Sequence, residues 1–302
     1  MRCFGKSLIT LFIIACSSLL IACSDGSNGP SNSAPSLLPV AVPQVELAPA
    51  DEDPSLISTS FDLAEVDYRQ DEYFLAGTAS AFTNTTELGT DGRWGAEPAA
   101  SADYKTRIVV YRPADDADFS GSVIVEWMNV TFGFDVPIGW AVGHVEALRS
   151  GHAWVNVTAQ RAGIEGTDDP LFPLDLRTAN PVRYASLSHP GDSFSYDIFS
   201  QVAAAVRDTD SSILGGLPVD AVIAVGESQS AARLLTYINA VQPLYGIYDA
   251  FLVDSRFSSS SRLSQPPQAD IRAPAQVLFR DDLETPVISL QSETDLLVEG
   301  LE

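Results

Sequence analysis

The residues with the clearest chemical potential lie in one short turn, Gly226-Glu227-Ser228-Gln229-Ser230. An apolar run precedes this turn, and a segment with apolar residues at helical spacing follows it. A strand, a small residue, a serine, a second small residue and a helix, in this order, are typical of a nucleophile elbow, which presents the serine hydroxyl above a sheet. Gly226 and Ser230 are the small residues that the close passage of the backbone requires. The pattern predicts that Ser228 is a nucleophile.

The first residues of the chain are typical of a signal peptide. Arg2 and Lys6 precede a short apolar segment, and Leu20-Ile21-Ala22-Cys23 resembles the lipobox of bacterial lipoproteins. A plain signal peptide or a single membrane helix is the alternative, although the apolar segment is short for a membrane span. We expect cleavage after residue 22 and an acyl group such as palmitate on Cys23. The lipid would anchor the protein to a membrane of the bacterial cell envelope, with its domain in the periplasm or outside the cell.

Charge and cysteine content exclude several kinds of site. The formal net charge of −23 repels polyanions, so we predict no nucleic-acid binding. Cys3, Cys16 and Cys23 all lie at or before the predicted lipidation site, so the mature chain has no cysteine for a disulfide, a thiol nucleophile or a metal site. The three histidines include no pair at metal-ligand spacing. We therefore predict neither a metal nor a cofactor.

The chain after Cys23 divides by composition into two parts. Residues 23–55 are rich in serine, asparagine, proline and alanine, which predicts a flexible tether. Residues 56–302 contain the periodic apolar segments of one folded domain. The predicted strands are 72–75, 105–111, 122–130, 153–159, 221–225, 248–253 and 286–290. The predicted helices are 139–149, 194–206 and a segment from the elbow to Val241, ended by Pro243.

The alternation of strands and helices predicts an α/β fold, a mostly parallel sheet with helices on both faces. Two connections in this pattern are long, residues 161–193 and residues 255–285. Each follows the carboxyl end of a strand, which is where open α/β sheets place their ligand crevice. Connections of this length are usually functional or disordered. We expect both segments to contact the substrate.

Several short motifs of the domain resemble those of the α/β-hydrolase superfamily. The similarity is to bacterial secreted and lipoprotein-type proteins with an "alpha/beta hydrolase domain", and it extends from Leu56 to the end of the chain. The motifs are Val125-Glu126-Trp127-Met128-Asn129-Val130, Ala153-Trp154-Val155, Ala159-Gln160-Arg161, His189-Pro190-Gly191-Asp192, the elbow and Glu293-Thr294-Asp295. The resemblance implies the α/β-hydrolase fold and a serine nucleophile activated by a histidine and a carboxylate.

The resemblance also implies roles for further residues. The catalytic acid follows a late strand, which indicates Asp295, with Glu293 and Asp254 as alternatives. The oxyanion formed by nucleophilic attack requires two main-chain N–H donors. One is expected from Gln229, directly after the nucleophile. The other is expected from the loop after the strand at 122–130, at or next to Val130.

The catalytic base is not evident from the resemblance. In this family a histidine follows the acid, but the residues after Asp295 contain none. His189 is a weak candidate because it precedes a helix, in a loop at the carboxyl edge of the sheet, whereas His144 and His152 lie where structural roles are expected. We therefore expect a C-terminally truncated sequence that lacks the last strand, the last helix and the base.

One further charged residue interrupts an apolar strand. Glu126 lies within the predicted strand at 122–130, where an unpaired buried carboxylate is costly. Arg161 follows the end of the next strand along the chain. We expect an ion pair between these two side chains.

Together, these features predict a lipid-anchored serine hydrolase that cleaves a small-molecule carboxylic ester through an acyl-enzyme on Ser228. An amide or thioester substrate is one alternative. The other alternative is a non-catalytic or inactive lipid-anchored binding protein with a hydrolase fold, which the missing histidine favours. The partners expected are an acyl ester substrate and the membrane that receives the anchor.

Overall fold

The structure is a computed structural model that describes residues 36–50, 52–57, 59–168 and 172–298. The predicted signal peptide, Cys23 and the first part of the predicted tether lie outside these residues. Within them, the compact unit begins at Leu37. No helix in the described part of the chain is both long and apolar enough to cross a membrane.

Eight strands in the described ranges form one sheet, in the spatial order 1-2-3-5-4-6-7-8. The strands are β1 Gln44–Leu47, β2 Tyr68–Asn84, β3 Ala96–Pro113, β4 Ser122–Trp127, β5 Ala153–Val157, β6 Ala221–Glu227, β7 Ala250–Asp254 and β8 Val287–Leu290. The α-helices are α1 Ile138–Ser150, α2 Arg161–Glu165, α3 Leu176–Ala179, α4 Ser195–Arg207, α5 Gln229–Thr236, α6 Gln242–Tyr245 and α7 Glu293–Val298. A π-helical turn, Tyr237–Val241, joins α5 to α6, and short 3₁₀ turns form at Leu63–Val66 and Asp116–Asp118.

The sheet is mixed and mostly parallel. Strands β5, β4, β6, β7 and β8 run parallel to one another. Strands β1, β2 and β3 pair antiparallel, and β3 joins the parallel part through an antiparallel pairing with β5. The predicted α/β fold with a mostly parallel sheet is confirmed. Every predicted strand and helix is present, and β2 and β3 are much longer than predicted.

The central strands contribute alternate apolar side chains to the core. Val123 and Val125 of β4 and Val155 of β5 are fully buried on one face of the sheet, whereas Ile124 of β4, which points to the opposite face, is only partly buried. Helix α4 is buried along almost its whole length and packs in the same core. At the far edge, β8 exposes Ile288 and Leu290. The core thus holds β4 and β6 rigidly where their carboxyl ends carry the site.

The predicted tether ends earlier than expected, so the boundary at residue 55 is corrected. Residues 44–47 form β1, which pairs with β2. The N–H of Leu38 donates to the carbonyl of Leu244 at 2.7 Å, and Lys105 Nζ lies 2.8 Å from Glu46 Oε2. A four-residue edge strand is too short to show a clear alternation in the sequence.

Pro243 does not end the helix at Val241, which corrects the predicted end. The chain passes through the π-helical turn and continues as α6, with Pro243 in its first turn. The first turn of an α-helix is a position where proline is tolerated. The helix ends instead at Gly246, whose φ of 57° is left-handed.

Candidate active site

Ser228 occupies a strained turn between β6 and α5. Its φ of 55° and ψ of −112° lie in a region that a residue with a Cβ seldom adopts. The Ser228 N–H donates to the carbonyl of Asp254, at the end of β7, at 3.0 Å. Its carbonyl accepts the N–H of Ala232 at 3.1 Å, which begins the helix. The predicted nucleophile is therefore located where a sharp strand-to-helix turn presents its side chain.

The two small residues of the turn face a crowded interior. A Cβ on Gly226 would lie 2.9 Å from Leu234 Cδ1 and 3.0 Å from the carbonyl oxygen of Ser230. Ser230 is fully buried, and its hydroxyl has no hydrogen-bond partner among the described residues. Close packing of the first turn of α5 against β6 therefore accounts for the small side chains at both positions.

The loop after β4, which carries the second predicted oxyanion donor, lies against the elbow. The Val130 N–H donates to the side-chain oxygen Oε1 of Gln229 at 3.4 Å. Asn129 Nδ2 donates to the carbonyl oxygen of Glu227 at 3.2 Å. Gln229 is the first residue of α5, so its own N–H has no acceptor within the helix. The structure thus brings together Ser228 and the two main-chain donors that the sequence predicted.

A set of side chains that sequence reasoning assigned no role supports this region. Gln229 Nε2 donates to Gln160 Oε1 at 2.9 Å, and Trp127 Nε1 donates to the same oxygen at 3.0 Å. Gln160 Nε2 donates in turn to Asp192 Oδ2 at 3.1 Å, and Arg233 forms an ion pair with that oxygen at 2.8 Å. All of these residues except Arg233 belong to motifs noted in the sequence, but their separation along the chain hides their contacts.

Asp192 is a partly buried anion that accepts hydrogen bonds from several donors. Burial alone would raise its pKa, but the charge of Arg233 and hydrogen bonds from the Arg161 N–H and Gln160 outweigh burial and hold its pKa below the usual value. The carboxylate therefore stays ionised and accepts hydrogen bonds at neutral pH.

The acid candidates Asp254 and Asp295 lie close enough, with Glu227, to influence one another. Burial and then the charge of Asp295 raise the pKa of Asp254. Burial, followed by the charges of Asp254 and Asp295, raises the pKa of Glu227, against a hydrogen bond from Asn129. The three carboxylates thus lie at or just after the carboxyl ends of β6, β7 and β8, and Glu227 directly precedes Ser228.

Asp295 also has a local structural role. Its Oδ2 accepts the Ser292 N–H at 2.6 Å, and its own N–H donates to Ser292 Oγ at 3.2 Å. This reciprocal pair caps the N-terminus of α7, as in a capping box, and the bond from the Ser292 N–H lowers the pKa of Asp295. Glu293, the other alternative, is exposed in the first turn of α7.

The structure does not direct His189 toward Ser228. Its Nε2 pairs with the carbonyl of Ala159 at 3.0 Å, and its Nδ1 accepts the Gly191 N–H at 3.2 Å. Burial lowers its pKa, so the ring is neutral, and both of its nitrogens are occupied by main-chain groups. His144 and His152 bond to the carbonyl of Trp140 and to the hydroxyl of Ser120.

The expected ion pair between Glu126 and Arg161 does not form. Glu126 is buried and accepts the N–H groups of Gly139 and Trp140 at 2.7 and 2.8 Å, at the N-terminus of α1. Trp154 Nε1 donates to it at 2.9 Å. Arg161 pairs instead with Glu165 at 2.6 Å. Neutral N–H donors and the positive end of a helix replace the expected cation.

Both long connections contribute to one polar cavity of about 580 Å³. Arg161, Arg177 and Asp192 come from the first connection, and Gln265 from the second. Asp192 bonds to Gln160, and Gln160 bonds to Gln229, so the wall of the cavity is connected to the elbow. Among the described residues, no group of three or more histidine, cysteine, aspartate and glutamate side chains is arranged to hold a metal ion.

Comparison with known proteins adds a family match. The family model described as "Alpha/beta hydrolase domain" matches residues 40–301. No curated protein sequence matches the chain. Acetyl xylan esterase 1 from Thermoanaerobacterium sp. JW/SL YS485 aligns with a TM-score of 0.36 and 14% identity, over 72% of this chain and 54% of that one. A glucuronoyl esterase from Solibacter usitatus aligns with a TM-score of 0.36 and 11% identity, over 76% of this chain and 56% of that one. An arylesterase aligns with a TM-score of 0.30 and 12% identity, over 63% of this chain and 49% of that one. The chain thus spans about half the length of each of these structures.

Proposed function

The chain belongs to the alpha/beta hydrolase domain family, and from this premise we propose that it is a serine hydrolase that cleaves carboxylic esters through an acyl-enzyme on Ser228. The observation that carries the proposal is the backbone of Ser228, with a φ of 55° at the junction of β6 and α5. Strain at a single non-glycine residue persists only where the surrounding structure enforces it, and such residues cluster at active sites.

In the proposed reaction, Ser228 Oγ attacks the ester carbonyl carbon and its proton passes to a general base. The negative charge that develops on the carbonyl oxygen is stabilised by the N–H groups of Gln229 and Val130. The alcohol leaves with a proton, and water then hydrolyses the acyl-enzyme. The three histidines bond to groups other than Ser228 in the described residues, so the proposal assigns the nucleophile and the oxyanion donors but no base.

Labelling with a fluorophosphonate probe tests the nucleophile. We expect covalent labelling of the chain, hydrolysis of a p-nitrophenyl ester, and loss of both in Ser228→Ala. Ser101→Ala is the matched control, because Ser101 is exposed on β3. A chain that is neither labelled nor active would contradict the proposal and favour a non-catalytic binding protein. Faster turnover of a p-nitroanilide or a thioester than of the ester would instead favour the amide or thioester alternative.

The proposal extends to the location of the protein. We infer a lipid anchor on Cys23 and a domain exposed in the bacterial cell envelope, supported by the sequence of residues 1–23 alone. Metabolic labelling with palmitate should mark the protein, and Cys23→Ser should abolish the label. Retention of the label in Cys23→Ser would contradict the anchor.

A further inference from the structure

We propose that the side-chain carboxamides of Gln229 and Gln160 position the Val130 N–H as an oxyanion donor, an inference that rests on the proposed hydrolase function. Gln229 would then act twice in the site. Its main-chain N–H would be one donor to the oxyanion, and its side chain would hold the other.

The contacts form a continuous series of hydrogen bonds from the loop after β4 to the partly buried carboxylate of Asp192. Val130 N–H bonds to Gln229 Oε1 at 3.4 Å, and Gln229 Nε2 bonds to Gln160 Oε1 at 2.9 Å. Gln160 Nε2 continues it to Asp192 Oδ2 at 3.1 Å. The partners are 99, 69 and 32 residues apart in the sequence, so these bonds join the loop after β4, the elbow and the first long connection.

The groups around this chain determine the orientation of both carboxamides. Trp127 Nε1 can only donate, so Gln160 must turn its oxygen toward Trp127 and its nitrogen toward the carboxylate of Asp192, which can only accept. The oxygen of Gln160 then requires a donor from Gln229. This leaves the oxygen of Gln229 facing the Val130 N–H, which can only donate. Inverting either amide would set donor against donor or acceptor against acceptor.

Further bonds hold Asp192, at the far end of this series of hydrogen bonds. Asp192 Oδ2 pairs with Arg233 at 2.8 Å, and its Oδ1 accepts the Arg161 N–H at 3.0 Å. Gln160 is 3% exposed and Trp127 is fully buried. Because Gln160 and Trp127 are shielded from water, breaking the bond between them leaves a buried polar atom unsatisfied.

The bond from the Val130 N–H to Gln229 is the longest of the three hydrogen bonds in the series. A long bond suits an N–H that must leave Gln229 to bind the oxyanion. In the resting protein, the neutral oxygen of Gln229 keeps the Val130 N–H directed at the elbow. An anionic oxygen formed at Ser228 is a stronger acceptor than a carboxamide, so the N–H can transfer to it without movement of the loop. A donor oriented before the reaction lowers the cost of stabilising the new charge.

Amide hydrogen exchange tests the positioning independently of activity. In Gln160→Met and in Gln229→Met, the Val130 N–H should exchange about five- to tenfold faster than in the unmodified chain, the factor that corresponds to one typical net hydrogen bond. Gln201→Met is the matched control, because Gln201 is also a buried glutamine that bonds to Tyr104 and to the carbonyl of Thr78, away from the loop. It should leave exchange at Val130 unchanged. Unchanged exchange in both test variants would overturn the inference.

Ester turnover tests the catalytic consequence. Gln160→Met should lower kcat about tenfold and change KM less than about twofold, because an oxyanion donor acts on the transition state. Gln201→Met should keep both values, although it also removes buried hydrogen bonds. Faster exchange at Val130 with an unchanged kcat, or an equal loss of kcat in Gln201→Met, would overturn the inference. An unmodified chain that is neither labelled nor active would overturn the proposed function, and the oxyanion role with it.

Discussion

Asn129 donates a hydrogen bond from its side-chain Nδ2 to the main-chain oxygen of Glu227, at 3.2 Å. Glu227 directly precedes Ser228. Gln229, which directly follows it, accepts the N–H of Val130. The loop after β4 is therefore bonded to the elbow on both sides of the candidate nucleophile, so the elbow itself sets the distance from the serine to the loop.

Replacement of Gly226 by alanine should destabilise the elbow. A Cβ would meet Leu234 Cδ1 at 2.9 Å and the main-chain oxygen of Ser230 at 3.0 Å. Since a main-chain oxygen cannot move aside, we expect a loss of about 1–3 kcal/mol in the free energy of unfolding, typical of overpacking, together with slower probe labelling. Gly89→Ala is the control, because its nearest neighbour is the movable end of the Asp91 side chain. Equal urea midpoints for the two variants would contradict the prediction.

Glu126 should make stability depend on pH near neutrality. Burial raises its pKa from 4.5 to about 7, against hydrogen bonds from Trp140, Gly139 and Trp154. Between these two values the folded protein binds the proton more tightly than the unfolded chain, so the free energy of unfolding falls as pH rises. The contribution of Glu126 is lost progressively up to pH 7, by at most about 3 kcal/mol.

Urea unfolding between pH 5 and pH 8 measures this dependence. The stability of the unmodified chain relative to Glu126→Gln should decline over this interval, because glutamine does not ionise. Glu146→Gln removes an exposed carboxylate from α1, the helix whose N-terminus Glu126 caps, and should show no such decline. A constant difference between the unmodified chain and Glu126→Gln would show that Glu126 titrates outside this range.

Arg107 should be essential for stability, although it lies outside the proposed chemistry. Its side chain is fully buried and pairs with Asp135 at 2.8 Å and Glu72 at 3.4 Å. Arg107→Met leaves the charges of two buried carboxylates without this partner, and we expect a loss of about 3–5 kcal/mol in the free energy of unfolding. Arg149→Met, which breaks an exposed pair with Glu146, should leave the unfolding curve close to that of the unmodified chain, because solvent screens an exposed pair. Similar chemical-denaturation curves for the two variants would contradict the prediction.

Removing the charge of Asp295 should change the titration of its neighbours. Asp295 raises the pKa values of Asp254 and Glu227 through like-charge repulsion. In Asp295→Asn both pKa values should fall, which carboxyl carbon chemical shifts measured against pH would report. Glu293→Gln, two residues earlier in the same helix, is the control and should leave both unchanged. Unaltered titration curves in Asp295→Asn would show that the charge of Asp295 does not affect Asp254 or Glu227, and would contradict the prediction.

Local patterns made much of the fold predictable. Buried parallel strands require continuous apolar runs, and the runs at 122–130, 153–159 and 221–225 correspond to β4, β5 and β6. The elbow was also predictable, because a sharp strand-to-helix turn requires small residues at defined distances from the serine. The end of the helix after the elbow was not predicted, since a π-helical turn depends on tertiary packing and left Pro243 in a position where it is tolerated.

The amino-acid sequence therefore predicted the candidate nucleophile, the order of the elements and the segments proposed to carry the oxyanion donors, because each prediction depends on neighbouring residues or on simple periodicity. The folded structure was needed to show that Glu126 caps a helix rather than pairing with Arg161, and that both ring nitrogens of His189 are occupied. It was also needed to show that Gln160 and Gln229 join the loop to Asp192. Hydrogen bonds between residues distant in the chain leave no periodic trace in the sequence, since which donor meets which acceptor is decided only when the sheet brings its strands together.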